Sequence, residues 1–286
     1  RARLAAAGAL FGLTLLLGAL SRRLYFFGGG SFEFCHYSEI ADNLRSGRGF
    51  STSTYYPMTL ATLADKGVAV EVRGPVVDRF PLQAGWVALL QLVFGRADAA
   101  AVAANVLAHG AWTAALFLAG GWLFTPSVGL TAALLMASHP MLLAGVDLYG
   151  YPDVLFGFMF LGMNALFFRW LESGGSRLAF ATGVAAGLCY LARYSLPLLL
   201  PPYLLAPLWA PQARGRWREI GLLLTGLLVT ALPWAVFNAL SWGGASPPLL
   251  LWNLAAETIG GSLPWCDYRT LALSDFMSLA VPAALA

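Results

Sequence analysis

Apolar runs of nearly bilayer length recur along this chain, at 4–20, 99–124, 128–146, 154–170, 178–191, 196–209 and 220–240. A crossing helix needs about 20 mainly apolar residues. In hydrocarbon every backbone N–H and C=O must find its partner within the protein, so such runs become helices. Their spread from one end to the other predicts a polytopic bundle, all-α, and not a single anchor. Composition agrees: 59% of residues are hydrophobic and 11% charged, against about 25% charged in soluble domains. No basic stripe with interleaved aromatics occurs, which argues against nucleic acid as a partner. Cys35, Cys189 and Cys266 are too few and too scattered for a disulfide framework.

An eighth apolar run, 82–94, is short, and its placement decides the topology. If it crosses and the N-terminus is inside, Arg169, Arg177 and the Arg214, Arg216, Arg218 cluster fall outside, against the bias of short cytoplasmic loops toward Lys and Arg. If it lies along the outer surface, about seven crossings remain and these arginines, with Arg1 and Arg3, become cytoplasmic. The second solution is the expectation. Glu172 and Glu219 then lie inside and the other twelve of the fourteen carboxylates outside. Residues 1–240 form the transmembrane module, with a long extracytoplasmic first loop, 21–98. Residues 241–286 form an extracytoplasmic tail whose Ala-rich end reads as the start of a truncated further part.

The first loop has internal order. Tyr37, Ile40, Ala41 and Leu44 recur at helical spacing, predicting a short helix over 36–44 that Gly47 and Gly49 stop. Residues 51–56 read as extended. Residues 79–94 read as a second, surface-lying amphipathic element, with Pro81 near its start and Trp86 suited to the interface.

Four short patterns carry a family resemblance. The first is Glu33-Phe34-Cys35-His36-Tyr37, continuing through Ile40-Ala41-Asp42-Asn43-Leu44 to Gly47-Arg48-Gly49-Phe50. The others are Arg79-Phe80-Pro81-Leu82 with a following Gly95, Tyr151-Pro152-Asp153, and Leu191-Ala192-Arg193-Tyr194. In this order, over roughly 4–209, they resemble the GT-C membrane glycosyltransferases of the protein-mannosyltransferase and aminoarabinose-transferase type (family 39-like). That resemblance implies a GT-C-like bundle in the bacterial cytoplasmic (inner) membrane. It also implies a polyprenyl-phosphate sugar as donor partner, membrane lipids around it, and reaction on the extracytoplasmic face with an unspecified acceptor. The family usually has Asp, often followed by Glu, where this chain has Glu33-Phe34, which leaves one carboxylate in place of two and lengthens it by a methylene.

Such a transfer needs a base near the acceptor hydroxyl and cations near the departing phosphate. The resemblance assigns Glu33 as base, just past the first crossing, with Asp153 as second carboxylate; an acid at a helix mouth also suits the helix dipole. Arg193, in a tight outer turn, and Arg79 are the phosphate ligands, since a guanidinium forks onto phosphate oxygens; snorkelling to headgroups is the other role open to Arg193. Tyr37, Tyr151, Tyr194, Asp147 and His36 are candidates for the sugar or acceptor pocket. Glu33 and Asp153 are the candidate ligands of a divalent cation, Mg or Mn, beside the phosphate. His36, His109 and His139 form no metal-ligand pattern; the last two read as hydrogen bonders within the bundle. Two other functions stay open: a polyprenyl-lipid flippase or transporter, and an inactive GT-C-like envelope scaffold.

Overall fold

The computed structural model describes residues 1–26, 28, 32–54, 74–76, 79–95, 97–193 and 196–242, without the side chains of 32, 75, 97, 144–147, 198 and 238–242. In chain order the main elements are α1 (Ala2–Tyr25), α2 (Phe32–Arg45), β1 (Ser51–Thr52), β2 (Gly74–Pro75), α3 (Pro81–Phe94), α4 (Ala97–Leu123), α5 (Pro126–Ala137), α6 (Asp153–Ser173), α7 (Ser176–Ala192) and α8 (Trp217–Trp242). Among the described residues, α1, α4, α6 and α8 are each long and apolar enough to cross a bilayer. The other apolar runs take shapes set by proline and length. In 128–146, α5 starts on the Thr125 cap, whose hydroxyl accepts from the Val128 N–H, and on Pro126. Pro140 then ends its ladder, and a π-helical turn, Met141–Val146, leads to the short helix Asp147–Tyr149. The 196–209 run, with Pro197, Pro201, Pro202 and Pro207, becomes three four-residue helical turns.

Helix α1 packs on α4, α4 on α5 and α6, and α6 on α7; α2 and α3 pack together and onto α4. The interior combines large apolar side chains such as Phe34, Ile40, Met163 and Trp170 with small and polar ones, including Thr14, Gln83, Asn105, His109, Thr113 and Thr182. Many other large apolar side chains face outward, among them Leu4, Leu16, Leu92, Val93, Leu135 and Val229. That distribution suits lipid, where close helix approach replaces the hydrophobic driving force. A Cβ on Gly183 of α7 would fall on the Leu223 carbonyl of α8, and one on Gly226 of α8 on the Phe180 carbonyl of α7, so these helices meet backbone to backbone.

The two short helices expected in the 21–98 segment form at Phe32–Arg45 and Pro81–Phe94. The amphipathicity of α3 is the reverse of a surface helix in water. It buries Gln83 and Gln91 together with Ala84, Val87 and Leu90, and exposes Leu89, Leu92, Val93 and Phe94. Residues 55–56 of the expected extended stretch lie outside the described residues, but its start is there. β1 pairs antiparallel with β2, Ser51 opposite Pro75 and Thr52 opposite Gly74.

Candidate active site

Glu33 stands in the first turn of α2. That helix is fixed by its buried side chains Phe34, Tyr37, Ile40 and Ala41; fully burying a Phe or Ile is worth about 1.5–3 kcal/mol each. At its other end Gly47 and Gly49 take φ of +73° and +72°, values that favour glycine, and turn the chain back. The returning strand is stapled to α2. Asn43 Nδ2 donates to the Ser51 carbonyl at 2.7 Å, and the Glu39 carboxylate accepts from Thr52 Oγ1 (2.8 Å), Ser53 N (2.7 Å) and Ser53 Oγ (2.5 Å). Burial pushes the Glu39 carboxyl upward, but the hydrogen bonds from Ser53 and Thr52 outweigh it and hold it below the usual carboxylate range.

The ladder then brings the second strand beside the first, and Arg79 follows it. Its Nη2 lies 2.7 Å from Glu33 Oε1, and its Cζ sits 5.8 Å from the centroid of the Tyr37 ring. Both partners are largely covered, at 14% and 23% side-chain exposure. The second ion pair joins Asp153, in the first turn of α6, to Arg193, the extended residue that closes α7. Gly150, at φ +74°, lets the 150–153 turn approach α2; a Cβ there would lie 3.1 Å from Phe34 Cα.

These pieces share one cleft of about 160 Å³. Glu33, Tyr37 and Arg79 form one wall and Tyr151, Asp153 and Arg193 another, with Phe80, Pro152 and Ala192 between them. Six of the residues singled out from sequence are thus brought together from four chain segments. His36 is not in that wall: it is fully buried on α2, sharing a face with Ile40 four residues on. Tyr194 and the side chain of Asp147 lie outside the described residues. Phe80 was not anticipated; its ring packs edge-on to Tyr190 with centroids 5.2 Å apart, and its adjacency to Arg79 is the sequence signal that could have marked it. His109 Nε2 donates to the Met136 carbonyl at 2.9 Å; a carbonyl can only accept, so Nε2 carries the proton there. Met136 is the residue whose carbonyl Pro140 has no N–H to meet.

Beside the cleft lies an apolar groove of about 380 Å³, lined by Pro81, Leu82, Gly85, Trp86, Leu89, Leu155, Met159 and Leu191. Pro81 and Leu191 are chain neighbours of the cleft residues Phe80 and Ala192, and Leu155 follows Asp153 by two, so polar cleft and apolar groove adjoin. Among the described residues no group of three or more His, Cys, Asp or Glu side chains gathers as a metal site. The two cleft carboxylates are oxygen donors, each now engaged by a guanidinium.

The arrangement can hold an anionic headgroup between two arginines with an alkyl chain in the groove, and a carboxylate lies on each side. No curated protein and no solved structure matches the chain. A family model, dolichyl-phosphate-mannose-protein mannosyltransferase, matches residues 79–242, a stretch that contains Arg79, Asp153 and Arg193. Covering more than half of the sequence in the order of these elements, that match makes the chain a member of the dolichyl-phosphate-mannose-protein mannosyltransferase family.

Proposed function

We propose that this protein transfers a sugar from a polyprenyl-phosphate-linked donor to an extracytoplasmic acceptor, a lipid, protein or glycan. The observation that carries the reading is the cleft itself: two carboxylates and two guanidiniums from separate segments, adjoining an apolar groove. The isoprenoid chain lies in the groove and the phosphate exchanges into the guanidinium partners now held by Glu33 and Asp153. The acceptor oxygen attacks the anomeric carbon, the bond from that carbon to the phosphate oxygen breaks, and the polyprenyl phosphate departs with the electron pair. Glu33 takes the acceptor proton and Asp153 orients the acceptor. Arg79 and Arg193 meet the charge developing on the phosphate, where preorganised donors act most strongly. Tyr37 and Tyr151 flank the sugar. Glu33 and Asp153 are also the oxygen ligands that would hold a magnesium or manganese ion, which when bound adds positive charge beside the phosphate.

The proposed topology has seven crossings with the cleft outside. At about 1.5 Å per residue, the 21 residues of α6 extend about 30 Å, the thickness of a bilayer's hydrocarbon core. Asp153 and Arg193 are at one end of the α6–α7 hairpin. At the other, Arg169 and Arg177 flank the Gly174–Gly175 turn, which Glu219 and Arg216 of the next segment grip through hydrogen bonds to Gly175 N and the Trp170 carbonyl.

The test is transfer from radiolabelled polyprenyl-phosphate mannose in proteoliposomes that contain membrane extract as acceptor source. Glu33→Gln should lower turnover by about 100-fold or more. Wild-type turnover in that variant at matched expression defeats the assignment. Passage of intact donor across the bilayer would instead mark a flippase, and donor binding without transfer a scaffold.

A further inference from the structure

We propose that Asn105 is a positioning residue that holds the Tyr151–Asp153 turn in register with α3, so that both walls of the cleft are set by one buried amide; this rests on the reading of the cleft as a polyprenyl-phosphate site. Asn105 lies in the first third of α4, a mainly apolar helix, and is fully buried. Its Nδ2 donates to the Tyr151 carbonyl at 3.1 Å, two residues before Asp153. Its Oδ1 accepts from Gln83 Nε2 at 2.8 Å, and Gln83 is fully buried in the first turn of α3, four residues after Arg79. The neighbouring turn of α3 is fixed to the same stretch of α4, Trp86 Nε1 donating to the Ala104 carbonyl at 2.9 Å.

The amide therefore spans the two sources of charge in the cleft. On one side, Gln83 belongs to the helix that follows Arg79 and Phe80 and supplies the groove. On the other, Tyr151 opens the turn whose Asp153 pairs with Arg193. A carbonyl ahead of a helix start is not fixed by the helix's own ladder. In a desolvated interface the Asn105 donor is what sets its height and rotation. The Gln83 carbonyl oxygen has no hydrogen-bond partner among the described residues although it is buried. For packing strength alone, two apolar side chains of similar shape would serve as well as this amide pair. Orientation is what the pair contributes, and an ångström of misplacement is enough to lower activity about a hundredfold.

The experiment uses the whole protein in nanodiscs, with undecaprenyl phosphate as probe, and reads two quantities for each variant: the unliganded melting temperature and the dissociation constant of the probe. Asn105→Leu removes the donor to Tyr151, and Asn105→Asp keeps the size and the acceptor for Gln83 but removes the donor as a carboxylate. Both should weaken binding by about tenfold, and Asn105→Asp stands in if Asn105→Leu is not recovered folded. Gln83→Leu should weaken it less. The double Gln83→Leu, Asn105→Leu variant should be no worse than Asn105→Leu, because the two act in series. A purely structural amide would move the melting temperature and leave affinity unchanged, which overturns the proposal. Arg193→Gln is the reference. If it abolishes binding while the Asn105 variants bind like the unmodified protein, the relay fails and the cleft stands. If the unmodified protein does not bind the probe, or Arg193→Gln binds as well as it does, the reading of the cleft fails and the relay with it.

Discussion

Paired charges on single side chains set the shape of the cleft. Each guanidinium has a carboxylate partner, so neither charge waits unmet in a partly covered site; the exposure of Arg193 and Asp153, at 35% and 42%, keeps that pair weak enough for a phosphate to replace. Arg193→Lys tests whether geometry or charge matters there. Lysine keeps the charge but not the planar fork, so undecaprenyl phosphate should bind about tenfold more weakly, whereas affinity equal to wild type would show that a point charge suffices. Glu39 makes a different prediction, about pH. Its carboxyl is held below the usual range in the folded protein, so its contribution is complete above that range and disappears as pH falls through the depressed value. Amide exchange at Ser53, corrected for the intrinsic pH dependence, should therefore stay slow at neutral pH and accelerate in acid. Glu39→Ala, which removes the acceptor, should be fast at both; protection unchanged into strong acid would refute the staple. The reach of sequence reading differs at these positions. The expectation that Glu33, Arg79, Asp153 and Arg193 belong together came from the four short patterns of the resemblance, and Asp153 and Arg193 also border apolar runs, where a charge in a chain with 11% charged residues stands out. The four do line one cleft. His36 misled because it sits three residues from Glu33, and the neighbouring-face position that buries it looks polar in a linear pattern. Gln83 and Asn105 carry no local mark, since their partnership spans 22 residues.

At the scale of helices, what holds the bundle is close approach. The Gly183, Gly187 and Gly226 positions bring α7 and α8 together: a Cβ on Gly187 would come 2.5 Å from Thr230 Cβ, and those on Gly183 and Gly226 would meet backbone carbonyls. Backbone atoms cannot swing aside as side chains do. Gly183→Ala should therefore destabilise by about 1–3 kcal/mol, and Gly183→Leu should prevent accumulation of folded protein. Gly221→Ala is the control, on the same helix, where an added Cβ meets nothing within 4 Å among the described residues. Melting temperatures in one detergent decide it: equal values for Gly183→Ala and Gly221→Ala would mean that α7 and α8 can part without loss. The elements were legible to different degrees for the same physical reason. Long apolar runs became single helices, at α1 and α4 free of proline and at α8 with Pro233 carried inside the helix. The runs containing Pro140 and Pro197–Pro207 were instead broken where the missing N–H or the ring clash fell, and periodicity does not register a break that leaves hydropathy unchanged. The reversal of α3 was hidden for a related reason: hydropathy gives the polar face of a helix but not which side is solvent, and in lipid the two exchange.

Within residues 1–237, the cleft holding Glu33, Arg79, Asp153 and Arg193 lies at one end of the α6–α7 hairpin and an arginine-rich turn region at the other. Those two ends face different compartments in the proposed topology, and the chain contains a reporter for one of them. Cys35 is exposed on α2, two residues from Glu33, while Cys189 is buried within α7. With Cys266→Ser introduced so that the tail contributes no signal, a membrane-impermeant maleimide should label Cys35 in intact cells or spheroplasts and leave Cys189 silent. Ser176→Cys and Gln212→Cys, each placed in an exposed position at the opposite end, should react after the membrane is permeabilised and not before. Lys and Arg bias acts most strongly on short loops, and Arg169, Arg177, Arg214, Arg216 and Arg218 all lie within a few residues of helix ends there. In the proposed reaction a lipid-linked donor keeps its phosphate at the headgroup level of one leaflet and its tail in hydrocarbon, so the proposed cleft opens at a membrane face, and the arginine bias is the reason for proposing the outer one. Labelling of Cys35 and the Ser176→Cys position from the same side would be incompatible with α6 crossing the bilayer, and the separation of cleft and arginines would then have to be one of lateral position along the surface.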